Sequence, residues 1–592
     1  MVVTEIRSDG SRMNLAGEGS HGTARDFETL QLRRVPDSAS AVNSVVTAAA
    51  PGLMKSSALM AAGTLMSRLT GFLRTLVMGA ALGVGTLNDT YQVANTLPTM
   101  IYVLVGGGAL NAVFIPQLVR SMKEDSDGGA AYANRLITLV ISFLGLTTLV
   151  CVVAAPEFIR VMAPSMADRP DQMRVAVTFA RYCLPTMFFM GIHVVLGQIL
   201  NARGRFGAMM WTPVLNNILV IVAFGSFVWV FGTAAHSGMS ASSITPQGVR
   251  LLGIGTLLGL TVQALAMVPY LRDSGFRIRL RLDWRGHGLG KALGLAKWTF
   301  LFVLVNQAGM VVVTRLATAA GATAEKAGHP GTGITAYNYA LLLWQMPQAV
   351  ITVSVMTAIL PRIARAAVDG DHGAVRDDIS QGLRTSAVAI VPCAFAFLAL
   401  GVPLIQLLYA GAGEDGARNI GFVLMAFALG LIPYSVQYVL LRGFYAYEDT
   451  RTPFFNTLVV ALVNAAGSFA AYLLLPARWA VAGMAFAYGL AYVIGVGVAW
   501  KRLRGRLGGE LDGRRVVRTY VRLVGASLPA ALAAGAAAAW LMTAIHPPVV
   551  AALTALTAGA TVLTGLFVPL ARLMRIDEVN AMVTMLRTRL GR

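Results

Sequence analysis

The sequence predicts an all-α polytopic membrane protein. Hydrophobic residues make up 56% of the 592 residues and charged residues only 13%, whereas a soluble domain carries about 25% charged residues. Apolar windows of roughly 20 residues, long enough to cross about 30 Å of hydrocarbon, recur along the chain. The alternation of polar and apolar residues that a transmembrane β-barrel needs is absent.

Fourteen membrane spans are predicted from the apolar windows and the breakers between them. Their bounds are 56–83, 89–121, 132–155, 172–202, 208–232, 250–271, 291–320, 334–364, 378–409, 418–446, 453–475, 479–502, 516–543 and 549–573. Residues 1–55 are polar and lack the short apolar core of a signal peptide, so we expect a disordered cytoplasmic tail there.

Loop charge predicts the orientation. The formal net charge is +20, and arginine and lysine gather in the links that follow even-numbered spans, as in Arg277, Arg279 and Arg281 after span 6. Links that follow odd-numbered spans hold far fewer of them. Basic loops stay on the cytoplasmic side, so both termini are expected in the cytoplasm.

Two parts of the chain resemble each other. Arg203-Gly204 and a later Thr212-Pro213 with Asn216 correspond to Arg442-Gly443 and a later Thr452-Pro453 with Asn456. Upstream, FIPQLVR, which contains Pro116, parallels ILPRIAR, which contains Pro361. Two matches in register predict an internal repeat of six spans in the same orientation.

The repeat predicts the domain organisation. An N-lobe would cover 56–285 with spans 1–6, and a C-lobe would cover 286–509 with spans 7–12. Residues 510–592 would add spans 13 and 14 and a short cytoplasmic tail. Parallel repeats of this kind are a transporter architecture in which the substrate binds between the halves.

Span 1 carries two arginines in the apolar stretch LMSRLTGFLRTLVMGAALG. A guanidinium at the centre of a membrane helix costs about 2.5–3.5 kcal/mol on insertion scales, so such residues usually face a protein interior or a watery cavity. Arg68 and Arg74 are separated by about 9 Å of helix rise, with Gly71 between them. Two planar donor groups at that spacing suit an anionic ligand. Location at the cytoplasmic membrane surface is the alternative, more so for Arg68 than for Arg74.

The repeat adds Arg315 on span 7. It lies 46 residues before Pro361, while Arg68 and Arg74 lie 48 and 42 residues before Pro116. Both halves would therefore present cations at one depth, unless Arg315 lies at the outer headgroups. Asp89 opens span 2, where capping of the helix N-terminus would explain it locally.

Other chemistries find little support in the sequence. The stretch Gly286–Ala292 lacks the glycine spacing and hydroxyl residue of a phosphate loop, so we expect no enzyme and no cofactor. Cys151, Cys183 and Cys393 lie in apolar runs and are expected to be buried thiols. His193 is expected to be a packed, hydrogen-bonded imidazole. Carboxylates deep in the spans are too few for a proton relay.

These motifs resemble the MurJ (MviN) family of lipid II flippases in the MOP transporter superfamily. The resemblance rests on Ser67-Arg68-x-x-Gly71-Phe72-x-Arg74, on Asp89-x-x-x-Val93-Ala94-x-x-Leu97-Pro98, on Ala112-Val113-Phe114-Ile115-Pro116, on Thr212-Pro213 with Asn216, and on Gly443-Phe444-Tyr445 with Asp449-Thr450-x-Thr452-Pro453. It covers roughly residues 56–545. The family has fourteen helices in two lobes, which agrees with the count of spans.

The resemblance implies a transporter that moves lipid II from the inner to the outer leaflet of the bacterial cytoplasmic membrane. Arg68 and Arg74, in a motif with Ser67 and Gly71, would contact the pyrophosphate-linked headgroup, and Asp89 would be functionally important. Other cavity arginines of the family do not carry over. Tyr102 and the pair Leu341-Leu342 stand at those positions, and Gly107 stands where a glutamate is common.

Expected partners are lipid II, membrane lipids and proteins of cell-wall synthesis, with no nucleic acid. The membrane potential is the expected driving force. A monovalent cation near Asn464 and Ser468, one turn apart on span 11, is the weaker alternative. A flippase for another polyprenyl-linked glycan, a drug exporter of the superfamily and a non-transporting scaffold remain alternative functions.

Overall fold

The computed structural model describes residues 62–107, 121, 127, 129–281, 297–509, 511–576 and 578–579. All regular elements in these ranges are helical. The predicted tail at 1–55 and the predicted lobe boundary between 285 and 286 lie outside the described residues.

The first half of the described chain, residues 62–281, contains eleven helices. They are α1 (62–82), α2 (Thr86–Tyr102), α3 (Ala130–Val153), α4 (Ala155–Met162), α5 (Pro164–Ala167), α6 (Pro170–Cys183), α7 (Thr186–Ala202), α8 (Gly207–Phe231), α9 (Ala234–Ser237), α10 (Pro246–Leu265) and α11 (Met267–Asp273).

The second half, residues 297–509, and the residues after it contain ten more. They are α12 (Lys297–Lys326), α13 (Ile334–Pro347), α14 (Val353–Val368), α15 (His372–Leu408), α16 (Glu414–Ala428), α17 (Leu431–Ala446), α18 (Arg451–Leu474), α19 (Ala477–Arg506), α20 (Gly513–Ala544) and α21 (Pro548–Leu573).

Eleven helical segments of the described chain are long and apolar enough to cross a membrane, and the bent pair α16–α17 makes a twelfth. These twelve correspond to predicted spans 3–14. Predicted spans 1 and 2 cover the described helices α1 and α2 but also run into residues that the structure does not describe. The predicted count of fourteen therefore stays a prediction.

Two predicted spans are divided in the middle. Span 4 is made of α6 and α7, and span 10 of α16 and α17, which are bent by 48°. Pro185 lies in the first break and cannot continue the backbone ladder. Gly430 lies in the second, where a Cβ would come within 2.6 Å of the Gly489 Cα, so the break brings two backbones together. Both breaks stand at the same distance after the paired prolines Pro116 and Pro361.

A π-helical segment continues α2 and another continues α13. Val103–Gly107 follows α2 directly, and Gln348–Thr352 follows α13. Each begins thirteen residues before the paired prolines Pro116 and Pro361. Wider turns of this kind disrupt the regular ladder and are common at functional sites. The two π-helical segments therefore stand at matching positions relative to the paired prolines, as the predicted repeat would require, and the repeat itself stays a prediction.

Most helix packing occurs within each half. In the first half α8 packs on α10 and α2 on α6, while in the second half α18 packs on α19 and α15 on α16. The main contacts between the halves join α12 and α13 to α2 and to the short helices α4 and α5. A second contact joins α9 to the turn Ala410–Ala412. These contacts lie at the end where α1 passes into α2, and extend to the middle of α2.

The last two helices pack against the second half. Helices α20 and α21 lie against each other and against α15. Small residues permit the close approach, since Gly559 contacts Leu400 and the backbone of Ala534. Close helix packing through small side chains is typical of membrane interiors.

Candidate functional site

Arg74 occupies an interior position on α1. Its side chain is half-buried, and its Nε atom is buried with no hydrogen-bond acceptor. The phenols of Tyr91 on α2 and Tyr339 on α13 are its electrostatic neighbours, so this cation lies where both halves meet. No carboxylate pairs with Arg74 among the described residues. A guanidinium kept in the interior without a counter-ion is costly, and an anionic ligand would supply the missing partner.

Arg68 lies nearer the other end of α1 and is exposed. Leu65 and Leu69, on the same stretch, are also exposed, by 58% and 54%. Arg68 therefore borders open space or the surrounding membrane, rather than packed protein. Arg68 is thus more exposed than Arg74, while the depth of both arginines in the membrane and the binding role of Arg68 stay predictions.

Ser67 and Gly71 face the neighbouring helix α8. The Asn217 side chain donates hydrogen bonds to the Ser67 carbonyl oxygen (3.1 Å) and to the Thr70 hydroxyl (3.0 Å). A Cβ at Gly71 would lie 3.4 Å from the Asn217 Nδ2 atom. Gly71 thus admits the Asn217 amide, which holds α1 to α8. The predicted contact of Ser67 and Gly71 with substrate stays a prediction. In the structure, this stretch of α1 contacts Asn217, which fixes the helix that carries the arginines.

Arg315 lies on an exposed face of α12. The adjacent Thr314 is buried, so the helix turns Arg315 away from the packed side. No hydrogen bond or ion pair of its guanidinium occurs in the described part of the chain. No contact joins it to Arg68 or Arg74 there either, so its place in the same site stays a prediction.

Asp89 binds across the two halves. The carboxylate is 3% exposed, and its Oδ1 atom accepts a hydrogen bond of 2.8 Å from the Thr335 backbone N–H. Thr335 is the second residue of α13, so Asp89 caps the N-terminus of a helix from the other half. The expectation that Asp89 caps its own helix is wrong, because α2 begins earlier, after Gly85.

Glycines allow this contact. Gly333 immediately precedes α13, and a Cβ there would overlap the Asp89 carboxylate. Gly321 on α12 packs against Gly333, since its Cβ would be 2.4 Å from the Gly333 Cα. Any side chain at Gly333 would push the capping carboxylate away from the helix that it caps.

Two more hydrogen bonds join the halves at this end. Glu325 Oε2 accepts from the Thr86 backbone N–H at 2.7 Å, and the Asn88 Nδ2 atom donates to the Tyr339 hydroxyl at 3.0 Å. Sequence reasoning missed Glu325 because it ended span 7 at 320, whereas α12 continues to Lys326. A signal existed, since a carboxylate at a helix C-terminus opposes the helix dipole and needs an outside partner.

Asn464 and Ser468 are both buried on α18. The Ser468 hydroxyl donates to Asn464 Oδ1 over 3.4 Å, a long hydrogen bond. No group of three His, Cys, Asp or Glu side chains within the described ranges is arranged to hold a metal ion. A sodium ion held by these uncharged groups stays a prediction.

The remaining expectations concern isolated buried groups. Cys151 and Cys183 are buried free thiols, and Cys393 is half-buried. His193 is buried as expected, but its Nδ1 atom has no hydrogen-bond partner. Tyr102 is buried and packs near Gly191, so it fills protein interior.

Comparison with known proteins identifies a family. The family model described as "Lipid II flippase MurJ" matches residues 78–558. A curated "Probable lipid II flippase MurJ" of Rhizobium meliloti (strain 1021) is 27% identical over 416 residues. The match covers 70% of this chain and 74% of the length of that relative. A "Lipid II flippase MurJ" of Burkholderia cenocepacia is 26% identical over 478 residues, covering 78% of this chain and 86% of its own.

Solved structures share the fold. The structure titled "Lipid II flippase MurJ, inward closed conformation" aligns with a TM-score of 0.67 at 18% identity, over 88% of this chain and 99% of its own. An inward-facing multidrug resistance MATE family transporter of the MOP superfamily aligns with a TM-score of 0.60 at 17% identity, over 74% of this chain and 95% of its own.

Proposed function

Because the chain belongs to the MurJ family of lipid II flippases, we propose that it carries lipid II from the inner to the outer leaflet of the bacterial cytoplasmic membrane. The observation that carries the mechanism is Arg74, a half-buried cation without a counter-ion at the meeting of the two halves. A lipid-linked pyrophosphate would supply the missing negative charge. The chain acts as a transporter rather than as an enzyme.

The proposed architecture is fourteen helices in two six-helix lobes with two additional helices. The loop charges favour cytoplasmic termini, which would put the contact between the halves on the outer side. The space between the two halves, on the side away from this contact, would then be open to the cytoplasm and would form the substrate cavity. Lipid II would enter from the inner leaflet, with its headgroup at Arg74 and Arg68 and its polyprenyl chain in the membrane.

Release to the outer leaflet then requires the contact between the halves to open. Its hydrogen bonds from Thr335 to Asp89 and from Thr86 to Glu325 are few and polar. Each bond of this kind contributes about 0.5–1.5 kcal/mol net, with somewhat more for a charged partner. Buried apolar residues of both halves lie in the same hydrophobic cluster, so opening in an alternating-access cycle would separate apolar surfaces as well as break these bonds.

Depletion tests the substrate. Loss of the protein from its own bacterium is expected to trap lipid II in the inner leaflet, and re-expression of the wild-type chain should restore its appearance outside. Accumulation of a different polyprenyl-linked glycan would contradict lipid II as the substrate.

A second candidate function is drug export. The MATE structure that shares the fold favours it, since its title names multidrug resistance. Uptake of cationic drugs into inverted vesicles separates the two candidates. A drug exporter should support such uptake, whereas the proposed flippase should not.

Arg315 is proposed as a cation of the same cavity, replacing those absent at Tyr102 and Leu342. In an Arg315→Cys variant with the three native cysteines replaced, a small water-soluble thiol reagent should label the new thiol, and lipid II should protect it. Labelling that lipid II does not slow would remove Arg315 from the substrate site.

A further inference from the structure

The second half encloses a cavity that the arginines do not reach. It has a volume of about 330 Å³ and lies among α12, α13, α17, α18 and α19. That volume is at the lower end of the range of small-ligand sites, roughly 300–1,000 Å³. No Asp, Glu, Lys, Arg or His of the described ranges lines it. Its chemistry therefore differs from that of the cationic surface of α1.

Side-chain amides supply most of its polarity. Six of them line the cavity: Asn306, Gln307, Asn338, Gln345, Gln437 and Asn464. Each amide offers both donors and an acceptor. Asn306 is exposed, so the cavity opens past it.

The carbonyl oxygen of one of these amides has no hydrogen-bond donor in the described part of the chain. Gln437 is 3% exposed, and its buried Oε1 atom accepts no hydrogen bond. Buried polar atoms are almost always satisfied, and an unsatisfied one costs about 1–3 kcal/mol. A ligand that donates a hydrogen bond to Gln437 would remove this cost.

Aromatic rings form another part of the wall. Tyr434 and Tyr492 meet edge to face at 5.0 Å between ring centroids, and Tyr492 meets Tyr488 at the same distance. Behind them, Trp344 stacks on Tyr434 at 4.7 Å. Tyrosines give an apolar ring surface together with a hydroxyl group. Amides beside such rings suit a ligand with apolar C–H faces and many hydroxyl and amide groups.

The cavity and Arg74 meet at one helix. Asn338 on α13 lines the cavity, and the next residue, Tyr339, is the electrostatic neighbour of Arg74. Both regions therefore involve neighbouring residues of α13.

We propose that this uncharged cavity binds an N-acetylated sugar ring of the transported lipid. The assignment rests on the proposed function, because it takes the pyrophosphate-linked saccharide as the substrate. The pyrophosphate binds at Arg74, and a sugar next to it enters the cavity, where Gln437 accepts a hydrogen bond from a hydroxyl or acetamido N–H group. The charged pyrophosphate and the neutral sugar thus bind to different surfaces of the protein.

The test compares three ligands on the full-length protein in lipid nanodiscs. They are undecaprenyl pyrophosphate, the same lipid with one N-acetylated sugar, and lipid II. Gln437→Met keeps the size of the side chain but removes the acceptor. It should weaken binding of both sugar-bearing lipids about tenfold, which corresponds to one unsatisfied polar group. Binding of the sugar-free lipid should be unchanged.

Gln406→Met is the matched control. Gln406 is also a buried glutamine of the second half without hydrogen-bond partners, but it lines a different, apolar pocket. This variant should leave the binding of all three lipids as in the wild type. Thermal melting of both variants reports on folding.

Three outcomes would overturn the sugar site. They are equal weakening of all three lipids by Gln437→Met, no weakening of any, and an effect only on sodium dependence, which would indicate a cation site. Failure of the wild-type protein to bind any of the three lipids would instead contradict the proposed function.

Discussion

At the scale of single residues, the contact between the halves depends on the charge of Asp89 and on the space that Gly333 leaves for it. Asp89 is a carboxylate from α2 that caps α13, and Gly333 leaves it room to do so. Arg74 lies beside the same contact without a counter-ion in the described chain. The contact between the halves thus satisfies one carboxylate, while one cation has no acidic partner among the described residues.

Arg74→Ala is expected to abolish transport while the protein still inserts normally. The loss of charged hydrogen bonds should cost about 1.5–3 kcal/mol of substrate binding. Arg74→Lys should rescue poorly, since a point charge does not reproduce the planar guanidinium. Complementation at matched protein levels measures both.

Arg174→Ala is the control for removal of an arginine. Its guanidinium is exposed and pairs only with Asp171, so activity should remain. Full complementation by Arg74→Ala would remove that arginine from the mechanism.

Gly333→Ala should weaken the contact between the halves. The backbone there has φ −104°, which alanine adopts freely, so any effect comes from the overlap with Asp89. Loss of a helix cap costs about 1 kcal/mol, which corresponds to roughly fivefold more open protein. The readout is the rate at which an impermeant thiol reagent labels Val84→Cys, a buried position against Gly416, after replacement of the native cysteines.

Gly225→Ala controls for the added methyl group, since a Cβ there meets no other atom within 4 Å. In the Gly225→Ala variant, the thiol of Val84→Cys should be labelled at the same rate as in the parent protein that keeps Gly225 and Gly333. Equal labelling of the Gly333 variant and its parent would mean that Asp89 does not hold this end closed.

The sequence could indicate some of these residues but not their partners. The interior position of Arg74 is predicted from its place in an apolar stretch, and its side chain is half-buried in the structure, while its depth in the membrane stays a prediction. The partner of Asp89 lies 246 residues further along the chain. Short-range capping rules could not find it, since they consider only the helix to which a residue belongs.

At the scale of helices, hydropathy located the spans well and their interruptions poorly. The predicted ends of spans 3–14 differ from the observed helices by a few residues, with the largest differences at the end of span 7, where α12 continues to Lys326, and at the start of span 9, where α15 begins at His372. The break near Pro185 and the π-helical segment at Gln348–Thr352 leave hydropathy unchanged, so an apolar window passes over them. Pro185 was a visible signal for a kink, but proline also occurs in helices that stay continuous.

Asp449 stabilises the start of α18. It accepts hydrogen bonds from the Thr452 backbone N–H at 3.0 Å and from the Thr452 hydroxyl at 2.7 Å, and Arg506 donates to it at 2.6 Å. Burial alone would raise the pKa of this carboxyl group, but these hydrogen bonds and the Arg506 charge outweigh it and lower the pKa.

Because the folded-state pKa is lowered, the stabilisation is present at neutral pH and is lost as the pH falls through that pKa. Asp449→Asn should therefore lower the stability by about 1 kcal/mol at pH 7, by analogy with other caps. The difference from the wild type should shrink toward pH 3. Thermal unfolding of the purified protein across this pH range measures it.

Asp377→Asn is the control, since that carboxylate is exposed and pairs only with its neighbour Arg376. It should change stability little at any pH. A pH-independent loss in Asp449→Asn would show that size, rather than charge, matters at this cap.

At the scale of the whole molecule, the expected energy source follows from the charge of the cargo. The headgroup is an anion that leaves an electrically negative cytoplasm, and each negative charge gains about 2.3 kcal/mol per 100 mV. Two charges would shift the equilibrium more than a thousandfold, at tenfold per 1.4 kcal/mol. We therefore expect the membrane potential to drive transport.

Ionophores separate the contribution of the membrane potential to transport from that of the pH gradient. Collapse of the potential at a constant pH gradient should stop transport, whereas collapse of the gradient alone should not. Transport that survives loss of the potential but stops with loss of the pH gradient would contradict this expectation and direct attention to Asp89 and His193. A requirement for sodium would direct attention to Asn464 and Ser468.

The matched irregularities of the two halves bear on the ancestry of the chain. A π-helical segment holds an extra residue in its turn, and one occurs at the same register in each half, as do the breaks near Pro185 and Gly430. Such coincidences argue that these features existed before the halves were joined. An ancestor of half the length would have paired with an identical copy, as symmetric membrane dimers do. Fusion would then have freed the copies to diverge, so that the first half carries Arg68 and Arg74 while the second half carries the amides and tyrosines together with Arg315.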